Sequence, residues 1–380
     1  MRLMQPDQRM WVCLSALAGL LFGGPGLSAE KQASPETLLL KDFHPKSVYR
    51  IPETVVQKAK YPVIDMHAHV YAKTPEKIAE WIRMMDQTGV EKAIVLSGAT
   101  GKAFDDVYAM YAKYPDRFEV WCEFDYTGYD KPGFGPAAVK ELERCYKVGA
   151  RGVGELGDKG KGMFYGRPRA WGMHPDDPRM DPLFEKCGEL KMPVNLHVGD
   201  PYWMYLPMDA ENDGLMNAYQ WRLDNQPGIV GLEGMVDILE RAVARHPKTI
   251  FIACHFANCC YNLTRLGELF DKYPNLYADN SARYAETAAI PRFAAKFYEK
   301  HQDRLVYGTD MGAGVDTYRL TFRILESTDE HFYAWSHSSY HWPLYGLALS
   351  DPVLEKVYRT NALKILLPRG PQFAPAEAKP

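Results

Sequence analysis

Past its first thirty positions the chain has no apolar run approaching the roughly 20 residues a membrane-spanning helix needs, so no bilayer crossing is expected there. It has no surplus of positive charge either: 45 Lys and Arg stand against 48 Asp and Glu, a net charge of −3. A basic footprint is therefore missing, and a nucleic-acid partner is not expected. Cysteine is sparse at seven: Cys13 near the start, then Cys122, Cys145, Cys187, Cys254, Cys259 and Cys260. The later six would permit disulfides in an exported chain, but they form no dense framework and several sit in apolar runs. Buried free thiols are the reading. No glycine motif that cradles phosphate follows a strand in the required context, so no nucleotide cofactor is expected. What is present is ordinary globular composition, 46% hydrophobic and 24% charged over 380 residues, with length for a large core.

The N-terminus has the pattern of an export signal. Arg2 and Arg9 precede a mostly apolar stretch from Trp11 to Phe22, too short to span a bilayer, and Gly23-Gly24-Pro25-Gly26 breaks it. Leu27-Ser28-Ala29 supplies small residues for cleavage. A signal over 1–29 and a periplasmic or secreted mature protein follow as expectations. Residues 30–60 are polar with scattered prolines and read as a lead-in, and the Pro/Ala/Lys-rich residues 368–380 as a disordered tail.

Between these ends a rhythm sets in. Short β-rich runs at 62–67, 92–97, 118–125, 151–156, 193–198, 249–255, 275–279 and 304–309 alternate with amphipathic stretches. Eight such alternations predict an α/β fold, a single (β/α)8 barrel over 61–367 rather than an open sheet. Thr74-Pro75-Glu76 marks one helix start, a capping hydroxyl followed by proline in the first turn, and Gly89 its end. Three connections exceed what a bare barrel needs: 157–178 after strand 4, 199–234 after strand 5 and an irregular 312–350 after strand 8. All leave the C-terminal ends of strands, where a barrel carries its active site.

The chemistry gathers at those ends. His67 and His69, two residues apart, share one face of a strand and aim at one point past its end. His197, His255 and Asp310 end three later runs. In a closed barrel these five ring one cavity. Imidazole with carboxylate suits Zn²⁺, and also Fe²⁺, Mn²⁺ or Co²⁺. A metal with an open position lowers the pKa of a water toward about 7. Asp310 can ligate, take the water's proton, or do both.

Asp65-Met66-His67-Ala68-His69, Asn195-Leu196-His197, Ala253-Cys254-His255, Tyr307-Gly308-Thr309-Asp310 and Asn361-Ala362-Leu363, in that order, resemble the amidohydrolase superfamily. The branch is the amidohydrolase-related one of metal-dependent TIM-barrel hydrolases, and the likeness spans roughly residues 61–367. The resemblance implies His67, His69, His197 and Asp310 as metal ligands. His255 would bind a second metal, or act as acid/base or substrate contact where one metal is present. Glu155, ending strand 4, would bridge two metals; its structural alternative is a pair with Arg151 or another base. The cofactor implied is one or two divalent ions, Zn²⁺ foremost.

Candidate substrate contacts are Arg283, just past strand 7 and able to hold a carboxylate bidentately, Asn258 and Trp203. Asn258 and Asn280 can equally orient ligands, and Trp203 and Tyr205 can equally be packing. His337 and His341 are read as solvent-exposed loop histidines, with an approach to the site from above as the alternative. The leading expectation is a hydrolase using a metal-activated water on a C–N or C–O bond of a small-molecule amide, lactone or ester. The alternative is non-oxidative decarboxylation of an aromatic or unsaturated acid, with His255 moving the proton. A barrel kept only for binding is the third, and its complete ligand set argues against it. A homo-oligomer is allowed by everything above.

Overall fold

The computed structural model describes residues 34–366. The expected signal over 1–29 and tail over 368–380 lie outside the described residues. The chain divides into two compact units, residues 1–43 and 44–380. In the first, residues 34–43 are described and hold one 3-10 turn, Leu40–Asp42, with no buried side chain. The second unit carries everything that follows.

Its strands are β1 (Val63–Ala68), β2 (Val90–Leu96), β3 (Phe118–Trp121), β4 (Val153–Asp158), β5 (Val194–Val198), β6 (Phe251–Ala253), β7 (Leu276–Asp279) and β8 (Leu305–Val306). Ladders pair β1 with β2 and β2 with β3, and run from β4 through β5, β6 and β7 to β8, all parallel. Backbone bonds join the two sheets at both seams. Cys122 N donates to Gly152 O at 3.1 Å and Gly154 N to Cys122 O at 2.8 Å. Met66 N donates to Tyr307 O at 2.9 Å and Asp310 N to His67 O at 3.0 Å. Asp65 reinforces the second seam, accepting from Thr309 N at 3.0 Å and Thr309 Oγ1 at 2.7 Å. The eight strands thus run in a ring, the expected (β/α)8 barrel.

The side chains agree. Ile64, Ile94, Trp121, Ile252 and Val306, from five strands, form one buried cluster with Ala362 and Ile365 of the last helix. Residues of strands so far apart in the ring meet only inside it. Helices cover the outside. Pro75–Thr88 starts where Thr74 Oγ1 accepts from Lys77 N, buries Ile78, Trp81 and Met85, and stops at Gly89, whose φ of +86° a glycine adopts without penalty. Leu232–Arg245 buries Leu232, Met235, Val236, Leu239 and Val243, spaced three and four apart. Gly101–Tyr111, Phe134–Val148, Asp181–Leu190, Leu263–Lys272 and Pro291–Lys300 fill the other places.

One expectation is corrected here. The stretch 312–350 is not irregular throughout, because Val315–Glu326 is a helix. It buries Thr317, Tyr318, Thr321, Phe322 and Leu325 against the barrel, a period that two threonines among the buried positions conceal from an apolar count. The long connection after β4 also contains a small antiparallel ribbon, Gly162–Met163 with Ala170–Trp171. Cys122, Cys145, Cys187, Cys254, Cys259 and Cys260 are all buried and free. No helix among the described residues is long and apolar enough to cross a membrane.

Candidate metal centre

Five strand ends and the turns after them bring His67, His69, Glu155, His197, His255 and Asp310 together. Ligand atoms of His67, His69 and Glu155 lie within 4.8 Å of one another, as do those of His67, His255 and Asp310, and of Glu155, His197 and His255. Turn geometry sets the directions. His255, Phe256, Ala257 and Asn258 all have left-handed backbones, φ between +53° and +59°. Asp310 has φ +50°. Side chains other than glycine hold such angles at about 1–2 kcal/mol each, so surrounding contacts must fix them. Here His255 N donates to Asp279 Oδ1 at 2.9 Å, and Asn258 Nδ2 to Val198 O at 3.0 Å.

The far side of each imidazole ring fixes its near side. His69 Nδ1 donates to Leu96 O at 3.2 Å, His255 Nδ1 to Ser281 O at 2.9 Å, and His197 Nε2 to Gly199 O at 2.7 Å. His67 Nδ1 gives its hydrogen to Asp279 Oδ2 at 2.9 Å. A carbonyl can only accept, so the other nitrogen of each ring turns a lone pair inward. Those lone pairs meet carboxylate oxygens: His197 Nδ1 is 2.6 Å from Glu155 Oε1, and His69 Nε2 is 2.9 Å from Asp310 Oδ1. His67 Nε2 is buried and has no hydrogen-bond partner among the described residues. Acceptors facing acceptors need protons or a cation between them. The residues therefore fit a divalent ion, with the carboxylate–histidine support such sites use.

Charges shift accordingly. Burial pushes the Glu155 carboxyl up, but the fields of His197 and His67 outweigh it and hold it well below the ordinary range. Burial pulls His197 down, and Glu155 lifts it to about 9. Burial leaves His255 below its ordinary value. A proton on His197 and a metal compete for one lone pair, so metal binding here releases protons.

The structural alternative for Glu155, a pair with Arg151, is not formed. Arg151 donates to Tyr146 O at 3.0 Å and Ala150 O at 2.8 Å, while Glu155 sits among the histidines. Its two oxygens divide the cluster. Oε1 faces His197 at 2.6 Å and His255 at 3.3 Å; Oε2 faces His69 at 3.6 Å and His67 at 3.8 Å.

A cavity of about 420 Å³ opens from the cluster past His197, His255 and Asp310. Arg283 lines it, with Nε on Asn258 Oδ1 at 2.8 Å. Asn258 is buried behind Arg283 and acts through it. Trp203 is not among the lining residues. It packs on Trp342 at 5.7 Å between ring centres and donates to Asp213, supporting the wall from behind. His337, expected in solvent, is half-buried and lines the cavity. Lys159, Tyr165, Trp221 and Glu286 also line it, and Asp279 and Ser281 hold the histidines; sequence reading assigned none of these a role in the site. Asp279 ends an expected strand, which was the available signal.

The wall that carries Lys159 and Tyr165 is held by a half-buried pair, Asp158 with His174. Asp158 Oδ1 accepts from Gly160 N at 2.8 Å and Gly162 N at 3.0 Å, and Oδ2 lies 2.6 Å from His174 Nδ1. The Asp158 hydrogen bond raises the His174 pKa above its ordinary value. A raised histidine stabilises the fold below its unfolded pKa, about 6.5, and that contribution is lost as pH rises through its folded value. Urea midpoints from about pH 6 to about pH 9 should fall through this window. His174→Gln should flatten that part of the profile; an unchanged slope would contradict it.

A family model described as amidohydrolase matches residues 64–367. A search of curated proteins finds no match. Among solved structures, an uncharacterised TIM-barrel protein from Bordetella bronchiseptica is 17% identical, with TM-score 0.50, over 80% of this chain and 98% of that one. An amidohydrolase from Burkholderia multivorans is 11% identical, with TM-score 0.48, over 80% of this chain and 99% of its own. A 2,6-dihydroxybenzoate decarboxylase from Rhizobium is 18% identical, with TM-score 0.47, over 81% and 99%. At these identities the likeness to the Bordetella protein is one of fold.

Proposed function

The chain belongs to the amidohydrolase family, and from that premise we propose that it is a metal-dependent hydrolase of a small-molecule amide, lactone or ester. The observation that carries the reading is the division of Glu155 between two histidine pairs, Oε1 toward His197 and His255 and Oε2 toward His67 and His69. One carboxylate shared in this way suits two divalent ions, Zn²⁺ foremost, with Asp310 completing the set beside His69. Bound there, the metal supplies an acidified water and a polarised carbonyl.

The chain's own groups do the rest. Arg283 orients the substrate through an oxyanion or carbonyl oxygen, held for this by Asn258. Asp310 accepts the proton of the attacking water and returns it to the leaving nitrogen or oxygen. Tyr165 and Trp221, from the loops after β4 and β5, line the cavity, with Trp221 exposed at its rim. Export by the signal over residues 1–29, to the periplasm or the medium, is part of the same proposal.

Metal per protein, counted by elemental mass spectrometry on wild type and Glu155→Gln, tests it. About two ions falling to about one in the variant is the expected result. About one ion in both would overturn the bridge, return His255 to acid/base work, and raise decarboxylation to equal rank. No metal in either, after reconstitution with Zn²⁺ and Mn²⁺, would end the metalloenzyme reading.

A further inference from the structure

We propose that the cavity contains a recognition subsite, built by Arg283 and Glu286 and closed by Tyr340, for a substrate head group that pairs an oxyanion or carbonyl oxygen with a neighbouring N–H or O–H donor. It deepens the hydrolase reading and rests on it only for where the reacting bond lies. Past β7 the backbone turns through Ala282 at φ +53° into the short helix Tyr284–Ala288. That turn sets Arg283 and Glu286 on the cavity wall.

Both side chains are half committed. Arg283 spends Nε on Asn258 Oδ1 at 2.8 Å and Nη1 on Ala282 O at 3.0 Å; Nη2 enters neither bond. Glu286 Oε1 accepts from Tyr340 Oη at 2.9 Å. Its Oε2 is buried and has no partner among the described residues, although Glu286 is only 4% exposed. A buried acceptor left without a donor is unfavourable, so Oε2 defines where a ligand donor belongs. Burial pushes the Glu286 carboxyl up, and the Arg283 guanidinium opposes it, with Nε 3.9 Å from Oε1. The net direction is upward, and the accepting role rests on geometry: Oε1 already accepts from Tyr340 and Oε2 has no donor among the described residues. Glu286 thus accepts from the substrate, and Arg283 donates to it.

The far wall is made rigid by aromatic rings. Tyr340 stacks on Trp342 at 4.0 Å and 13°, and Trp342 Nε1 donates to Ala285 O at 3.2 Å, back on the Glu286 helix. Leu320, Ile324 and Leu344 add an apolar patch to a wall that Lys159, Asn217, Ser338 and Ser339 otherwise keep polar. Probes that carry the head group on a phenyl ring use that patch. Three probes separate the parts. Phenylacetate offers the oxyanion alone, mandelate adds a hydroxyl, and 2-phenylglycine adds an ammonium.

Calorimetry on the metal-loaded protein should give mandelate and 2-phenylglycine about 10–100-fold lower Kd than phenylacetate, the range expected of a hydrogen bond to a charged group. Glu286→Ala should bring the ratios close to unity and leave phenylacetate unchanged. If that variant does not fold, Glu286→Gln, which keeps the shape, should lose most of the preference for the ammonium. Equal binding of all three, no binding at millimolar concentration, or a preference that survives the substitutions overturns the subsite. The last result would trace the preference to chelation at the metal. Metal content of the same samples separates the two readings: a Glu286-dependent preference in protein that retains no metal would keep the subsite and remove the hydrolase.

Discussion

Asp279→Asn is expected to weaken divalent-metal binding about 10–100-fold, the usual loss when a group behind a ligating histidine is changed. Asp279 is fully buried, and five donors converge on it. Oδ2 takes His67 Nδ1 at 2.9 Å and Asn195 Nδ2 at 3.2 Å. Oδ1 takes His255 N at 2.9 Å, Ser281 N at 3.2 Å and Ser281 Oγ at 2.5 Å. One carboxylate thus sets the tautomer of His67 and anchors the left-handed turn that aims His255. The asparagine amide keeps one acceptor and turns N–H toward a donor, so His67 loses its orientation while the volume is conserved. Asp279→Ala removes every acceptor and should cost about 3–5 kcal/mol of stability, as for other broken buried pairs. Titration against a competing chelator, beside urea unfolding, separates the two effects. Wild-type metal affinity in a folded Asp279→Asn protein would show that His67 does not depend on this support.

The barrel was legible because its strands are short, apolar runs bounded by helical stretches, and each of the eight expected runs holds a strand. The ends of the runs were less so. β8 forms a ladder over Leu305–Val306 only, because Gly308 and Asp310 turn away to meet His67. The candidate metal cluster was legible as residue types at strand ends, since period two and barrel closure leave those side chains few directions. The supporting shell was not. Asp279 and Ser281 act through backbone and ring nitrogens, and their sequence neighbourhood, Ala278-Asp279-Asn280-Ser281, reads as an ordinary strand end and turn. Glu286 hides for a related reason: in sequence it is a polar residue in Ala285-Glu286-Thr287, and only tertiary packing against Tyr340 buries it. Trp203 shows the converse. An aromatic residue in a loop over the site suggests a wall, but whether it faces the cavity or props up its neighbour is decided by a chain segment more than a hundred residues away, Tyr340 to Trp342.

Gly308→Ala should lose both stability and metal, and the reason lies in how closely β8 approaches β1. A Cβ at 308 would lie 2.7 Å from His67 Cβ and 3.1 Å from Ser281 Cβ. His67 cannot recede freely: its backbone oxygen accepts from Asp310 N at 3.0 Å, and its ring is held by Asp279 at 2.9 Å and Ser281 Oγ at 3.1 Å. Gly308 is fixed as well, its N donating to Asn280 Oδ1 at 3.1 Å and its O accepting from Tyr284 Oη at 2.7 Å. The added methyl must therefore displace a candidate ligand or the serine that supports it, at about 1–3 kcal/mol for overpacking. Gly312→Ala is the matching control. Its φ of +87° makes alanine strained, yet nothing lies within 4 Å of the new Cβ, so it should lose about 1 kcal/mol and bind metal as wild type does. Metal content and urea midpoints on both variants read the difference. If Gly308→Ala loses stability but keeps full metal content, the clash is absorbed away from His67, and the close approach of β8 serves packing alone.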